Sequence, residues 1–413
     1  MIFSEKGLSK LKKYRIEPYC FFFLYCFLFF LPLFEAPKNI FCVFFIVFAS
    51  LAVFWGHKKL RLSVFEYSFL FLVFSSFFAG VGSELIDSEL KFGRALNWAV
   101  MPLVGFLIIC LNPKPGRILI MADILCLGAL VALIHGFITW EGEYPELNSV
   151  GHVNQSALYM ATMVYIASFL ILKERTIFQL GLGLCVIFGS LCFQVLGRSL
   201  VGLGGTGIAL VSVMVIMVFS PRENREGLVV LSVFGVLLLL SLVSGLLPYE
   251  PLLAELNERL SSDAQLFSQR DRLFNSAWEV SSRSVFGEGL GSFGSATDIS
   301  LIKDSIERKG LNWASESKYY FHSAHGHNIF SNVLVERGWF GVVSVLFFFM
   351  AGLVWFYRAL SNSQEARIGL SLIVFVMLTG LGQSSLHVEH GQLAFVALGM
   401  LVVLVRRTRR HLV

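Results

Sequence analysis

The sequence predicts an all-α integral membrane protein with about twelve transmembrane helices and one large loop on the outer face. Three observations carry that expectation. Of its 413 residues, 56% are hydrophobic, and the mean hydropathy is +0.72. Charged residues make up 15% of the chain, where soluble domains carry roughly 25%. Apolar runs recur along the whole chain at close to the length of a helical span, which needs about 20 mainly apolar residues.

The first run, 18–34, follows the basic stretch "KGLSKLKKYR", as the apolar core of a signal peptide would. The "FEAPKN" after it has no small-residue cleavage pattern, so an uncleaved first helix is expected. Further spans are predicted over 40–56, 63–82, 92–111, 117–138, 155–172, 177–193, 199–219 and 227–247. Residues 248–325 then form the one large hydrophilic insertion. Within it, "ELNERLSS" and "DRLFNSAWEVSSRS" read as short amphipathic helices and "FGEGLGSFGSA" as a turn or loop. Runs at 338–357, 367–386 and 391–405 complete the set. A single polytopic domain, 1–413, is the simplest division. No repeat relates the two halves, which weakens a transporter reading, because many secondary transporters are built from related halves.

Charge orients the chain. The formal net charge is +5, but its distribution matters more. One alternate set of loops holds Lys6, Lys10, Lys12, Lys13, Arg15, Lys58, Lys59, Arg61, Lys114, Arg117, Lys173, Arg175, Arg222, Arg225, Arg358 and Arg367, and ends with Arg406, Arg407, Arg409 and Arg410. These are 20 of the 33 basic residues, all in short segments. The other set holds acidic stretches such as "SELIDSEL" and "WEGEYPEL". The positive-inside rule then puts both termini in the cytoplasm and 248–325 on the opposite side. No nucleic-acid partner is expected from this pattern. The seven cysteines lie in or beside predicted spans and show no disulfide or zinc spacing, so they read as small apolar helix residues.

Four outer segments hold most of the polarity that could do chemistry. "NSVGHVNQSALY" carries His152, Asn154 and Gln155, and "LGRSLVG" carries Arg198 at the start of a span. "QRDRLFNSAWE" carries Arg270 and Arg272, and "AHGHNIFSNVLVERGWFGVV" carries His325, His327 and Asn328. Arg198 could snorkel to headgroups, or its guanidinium and the helix N-terminus could hold an anion. Arg270 and Arg272 have an ordinary surface reading as well. His327 could cap a helix or act as a base, since an ordinary imidazole titrates near neutrality. Asn328 could cap the helix or bind a sugar hydroxyl. Arg94, near the outer end of the fourth span, could meet a lipid phosphate or simply anchor at the interface. Glu336 lies half a turn out of phase with His327 and reads as structural. "GLGGTG" matches a dinucleotide pattern but sits in an apolar helix, where small residues instead permit close packing. "HVEH" lacks further metal ligands nearby and reads as a polar turn.

Taken together, "HN", nine residues, then "GWFG" resembles the His-Asn-x9-Gly-x-x-Gly motif of the bacterial O-antigen ligases. Glu336 and Gly338 also fit the His-Asn…Glu-x-Gly pattern of the related polymerases. "RDRLFNSAWEVSSRSVFGEGLGSF" resembles the segment that precedes this motif, although it lacks the usual proline before the turn and is one residue shorter there. "LGRSLVGL" and "SVGHVNQSALYM" resemble the family's first arginine segment and a middle span with an asparagine at its start. The motifs run over roughly 145–345.

The resemblance implies a membrane glycosyltransferase fold of the C type with a large periplasmic loop. The implied donor is an undecaprenyl-diphosphate-linked glycan, and a ligase would use lipid A–core as acceptor. His327 would be the general base, and Arg198 and Arg270 would clamp the diphosphate, with Arg272 as the other register for Arg270. Asn154, His325, Asn328 and Arg94 would line the substrate site. No metal or cofactor is expected, because the diphosphate is already a good leaving group. Polymerase, protein O-oligosaccharyltransferase and polytopic transporter are the rival readings.

Overall fold

A computed structural model describes residues 5–55, 62–83, 85, 88–141, 145–173, 176–197, 199–218, 263–323, 326–361, 363–383 and 388–411. Arg198, His325, the predicted span 227–247 and "ELNERLSS" lie outside the described residues. Arg270 is described in its backbone alone.

The described chain is helical throughout, with no β-strand among the described residues. The first eight helices are α1 (Glu5–Phe30), α2 (Glu35–Trp55), α3 (Val64–Phe78), α4 (Ser88–Leu111), α5 (Pro115–Ile138), α6 (Val153–Leu172), α7 (Ile177–Leu196) and α8 (Leu200–Val218). The insertion contributes α9 (Asp263–Ser281), α10 (Phe293–Ala296), α11 (Ile299–Arg308) and α12 (Trp313–Glu316). The chain ends with α13 (Ile329–Tyr357), α14 (Gln364–Gly382) and α15 (Val388–His411). Among the described residues, eight helices are long and apolar enough to cross a membrane: α2, α4, α5, α6, α7, α13, α14 and α15. Shorter apolar stretches run through α1, α3 and α8. The protein is a multi-pass α-helical membrane protein.

The core follows from composition. In α6 every residue from Ser156 to Leu172 is buried, and in α15 so is every residue from His390 to Val405. A helix that is apolar all round belongs inside a bundle, and these two form its centre. Outer helices are one-sided: Ile40, Val43, Phe44 and Val47 of α2 stay exposed, as do Val343, Leu346, Phe347, Met350 and Val354 of α13. Those stripes suit contact with lipid. The glycines of "GLGGTG" pack as expected, since a Cβ on Gly202 would lie 2.5 Å from that of Ala157. That close approach holds α8 on α6. All seven cysteines are free and lie in helices.

The turns after α1 and α5, the starts of α4 and α15 and Gly291 of the insertion lie together at one end of the bundle. Hydrogen bonds bind several of these turns together. Ser149 N–H donates to the Pro32 carbonyl at 3.4 Å, and Gly80 N–H donates to that of Phe286 at 2.9 Å. The latter bond explains why α3 stops at Phe78, short of the predicted residue 82: at Gly80 the backbone leaves the helix to meet the insertion.

Candidate functional site

Asn328 ends the loop before α13 and caps the helix: its Oδ1 accepts from the N–H of Phe330 at 2.7 Å and of Ser331 at 3.4 Å. Such caps satisfy donors that the first turn leaves open. Its Nδ2 donates to the Leu381 carbonyl at 3.3 Å, tying the start of α13 to the end of α14. Gly326 N–H donates to Asn332 Oδ1 at 2.8 Å, which closes the loop from below. Between these anchors His327 is exposed, in the left-handed region at φ 47°. Such backbone is uncommon for residues with a side chain, histidine being among those that tolerate it. The loop thus fixes the position of an exposed imidazole at the insertion end of the bundle.

Three turns into α13 the helix breaks. Gly338 sits at φ 61°, ψ −161°, a conformation open essentially to glycine alone. In an unbroken helix the carbonyls of Val335 and Glu336 would accept from Trp339 and Phe340. Here they accept from the N–H groups of Glu288 and Gly289, at 2.8 and 3.0 Å. Phe340 N–H in turn donates to the Val285 carbonyl at 3.3 Å. The segment 285–289 therefore replaces the missing rungs of the helix. Space requires a glycine on both sides, since a Cβ at Gly287 would lie 2.5 Å from Gly338 N, and one at Gly338 would lie 2.1 Å from the Val285 carbonyl oxygen. Phe78, Phe286 and Phe340 close around the junction, with ring centroids 5.7–5.8 Å apart.

The break leaves Glu336 and Arg337 buried side by side. The Glu336 carboxylate lies near the Gly291 N–H and near the charge of Arg94. Arg337 places its guanidinium 4.7 Å from the centre of the Trp98 ring. Both line a small apolar pocket with Trp98, Ile329 and Asn332. The structural reading of Glu336 from its phase is consistent with this burial.

The other residues singled out in the sequence fall into three groups. Asn154 is joined to the Arg198 segment, because Ser199 Oγ donates to Asn154 Oδ1 at 2.9 Å. His152 caps α6 through Nδ1, which accepts from Asn154 N–H at 3.3 Å. Arg272 is occupied within the insertion: its Nε and Nη2 donate to the Tyr320 carbonyl at 3.1 and 2.8 Å, and its guanidinium lies over Phe321. Position 270 lies one turn ahead of Leu273 and two ahead of Ala277, which are buried against Phe293 and Val335. Arg94 donates to the Leu290 carbonyl at 3.1 Å, so it braces the loop that mends α13. The structure thus brings together the "FGEGLGSF" loop, the "GWFG" break and Arg94, and separately Asn154 with Ser199. α8 packs on α14, whose last turn meets Asn328, so packed elements connect the two groups.

The insertion has its own electrostatic anchor. Glu279 of α9 accepts from Lys309 Nζ at 2.7 Å and from Ser305 Oγ at 2.6 Å. Burial pushes the Glu279 carboxyl up, but these hydrogen bonds and the Lys309 charge outweigh it and hold the group below its ordinary range.

Sequence reasoning missed Lys38. It is 2% exposed, pairs with Glu389 of "HVEH", and donates to Ser149 Oγ at 3.2 Å. The signal was there, a lysine inside the loop set otherwise poor in basic residues, directly before an apolar run. Glu389 is accordingly a buried ion-pair partner in the first turn of α15, where the sequence suggested a polar turn. Among the described residues no group of three His, Cys, Asp or Glu side chains is placed to hold a metal ion.

Compared with models of known protein families and with curated protein sequences, the chain matches none.

Proposed function

We propose that the chain is a bacterial inner-membrane glycosyltransferase of the O-antigen ligase type, with both termini in the cytoplasm and its reaction on the periplasmic face. One observation carries the reading. The "FGEGLGSF" loop and the "GWFG" break, parts of two motifs of the resemblance that lie about 50 residues apart, interlock through three backbone hydrogen bonds across Gly287 and Gly338. A contact that glycine alone permits on both sides gives a physical reason for both motifs.

In this reading the acceptor is a sugar hydroxyl of lipid A–core and the donor an undecaprenyl-diphosphate-linked glycan. His327 takes the hydroxyl proton as the oxygen attacks the anomeric carbon. The bond from that carbon to the diphosphate oxygen breaks, and its electron pair leaves with undecaprenyl diphosphate. Arg198 and Arg270 hold the diphosphate and stabilise the charge that grows on it, as positioned donors do at other developing anions. A single in-line attack inverts the anomeric centre. Arg272, committed to the Tyr320 carbonyl, is the weaker candidate for the clamp.

The test is a deletion strain complemented by variants. Loss of a ligase strands polymerised glycan on the carrier lipid, whereas loss of a polymerase leaves single repeat units on the core. Complementation with His327→Ala is expected to give stranded glycan at normal protein levels, because base assistance is typically worth about 10²–10⁴-fold. Normal ligation by that variant would remove His327 as the base. Single repeat units on the core would replace the ligase with the polymerase, whose Glu-x-Gly pattern Glu336 and Gly338 also fit.

A further inference from the structure

The exposed side of α13 measures out a bilayer. Residues 331–338 are all buried, and exposure begins at Trp339, directly after the break. From there Val343, Leu346, Phe347, Met350 and Val354 continue an exposed apolar stripe to Tyr357. At about 1.5 Å per residue, the helix from Trp339 to Tyr357 rises about 27 Å, close to the roughly 30 Å of a hydrocarbon core. Tryptophan and tyrosine favour the two edges of a bilayer, where an apolar ring and a polar tip are both accommodated. Trp339 therefore marks the level of the interface at the insertion end.

α9 meets α13 at that level. Its inner face buries Leu273, Ala277 and Val280 in one cluster with Phe293 and Val335. The outer face of a helix in water would be polar. Here it carries Phe274 and Trp278, one turn apart and 44% and 52% exposed. Their ring centroids lie 6.2 Å apart, and Trp278 meets Trp339 edge to face at 5.4 Å. Val285 is 62% exposed and extends the patch, because its carbonyl accepts from the N–H of Phe340, the residue after Trp339. The same insertion also shows a face suited to water, since α11 exposes Lys303, Asp304, Glu307 and Arg308. Two helices of one insertion thus present opposite surfaces, and the aromatic one runs on without a gap into the lipid-facing stripe of α13.

We infer that the outer face of α9 is immersed in the bilayer interface on the insertion side, with Phe274, Trp278 and Val285 among phospholipid head groups and upper acyl chains beside Trp339. The occupant is bulk phospholipid, and the insertion is partly seated in the membrane. This assignment rests on α13 as a membrane span and on no residue given a role in glycosyl transfer, so either reading can fail without the other.

The full chain in phosphatidylcholine nanodiscs would be irradiated with a phosphatidylcholine that carries a diazirine next to its glycerol backbone, and the adducts mapped. Phe274, Trp278, Val285 and Trp339 should be labelled and α11 spared. A second lipid with the diazirine at the end of an acyl chain should label Met350 and spare α9. Phe274→Asp combined with Trp278→Asp should abolish labelling of Val285 by the first lipid. Continued labelling of Met350 by the second lipid would show that this variant is inserted. Labelling of wild-type α9 no stronger than that of α11, or by the chain-end probe alone, would overturn the assignment. Cross-links between the α9 helices of two copies, in place of lipid adducts, would overturn it as well and give the patch to a second copy of the chain.

Discussion

At the end of the bundle opposite the insertion, Arg117 meets Glu17 at 2.5 Å and Lys173 meets Glu365 at 2.9 Å, while Arg407 donates to the Asn112 carbonyl at 2.8 Å. At the insertion end, Lys38, Glu336, Arg337 and Glu389 are buried and a helix is broken and mended by a loop. The first end uses short turns and ties its basic residues to neighbouring helices, with partners that range from the part-exposed Glu17 to the buried Glu365 and Glu66. The second also buries charges and, beyond that, holds backbone in a conformation that only glycine adopts readily. Such features cost free energy, and they persist where the surrounding structure over-determines them. The contrast separates an end built of short turns from an end where a loop mends a broken helix. Several of the basic residues counted by the positive-inside rule also fasten helices to one another.

The contrast is most directly broken at two glycines. Gly338→Ala adds a Cβ 2.1 Å from the Val285 carbonyl oxygen at a φ of 61°. Strain and clash together should cost about 3 kcal/mol or more. Gly116, in the first turn of α5 at the other end, has open space around its Cβ position. Gly116→Ala should be neutral or stabilising by about 0.5–1 kcal/mol, as alanine is the better helix former. Thermal unfolding of both variants in the same detergent checks the pair, and equal melting temperatures would erase the distinction between the ends.

The buried pair is the next lever. Lys38→Met leaves Glu389 buried without its counter-charge, and removal of one partner of such a pair typically costs about 3–5 kcal/mol. The double variant Lys38→Met with Glu389→Leu should recover most of that loss. If the single variant melts like the wild type, the pair is not the strut described here.

Much of the bundle was legible in the sequence, because hydropathy reports directly on what lipid and a buried core require. The run 117–138 became Pro115–Ile138, and 155–172 became Val153–Leu172. The amphipathic reading of "DRLFNSAWEVSSRS" found part of α9 and the glycine-rich "FGEGLGSFGSA" found the loop, but neither says where they dock. Docking depends on Gly338, whose φ no periodicity reveals, and on carbonyls freed by a break inside an otherwise apolar helix. The Lys38–Glu389 pair was hidden for a similar reason. Its members are 351 residues apart, and a lysine beside an apolar run reads locally as an interfacial anchor. Arg272 illustrates the converse: it stood out in the motif, yet a backbone carbonyl of its own insertion engages it.

A smaller effect sharpens the comparison within the insertion itself. Glu279 has its folded pKa depressed below the ordinary 4.5, so its contribution is present above that value and is lost as pH falls through the folded pKa. Glu279→Gln should cost about 1–2 kcal/mol at neutral pH, since it weakens charge-assisted bonds to Lys309 and Ser305. Limited proteolysis of the insertion against pH is the measurement. The wild type should become more susceptible on acidification, and the glutamine variant should lose most of that dependence. A variant with unchanged acid sensitivity would place the titrating group elsewhere.

The smallest effect belongs to Arg117 and Glu17. Both side chains keep about a third of their surface in solvent, so water and salt screen the pair despite the 2.5 Å contact. Exposed pairs are typically worth about 0.2–1 kcal/mol. Arg117 also lies 4.1 Å from the Phe21 ring centre, a contact that survives loss of the carboxylate. Glu17→Gln should therefore cost less than Arg117→Ala, and the cost of Glu17→Gln should shrink further at high salt while that of Lys38→Met does not. Unfolding at two salt concentrations reads this out. A salt-insensitive loss at Glu17 comparable to that at Lys38 would mean that solvent does not screen the Arg117–Glu17 pair, and exposure would no longer account for the difference between the two pairs.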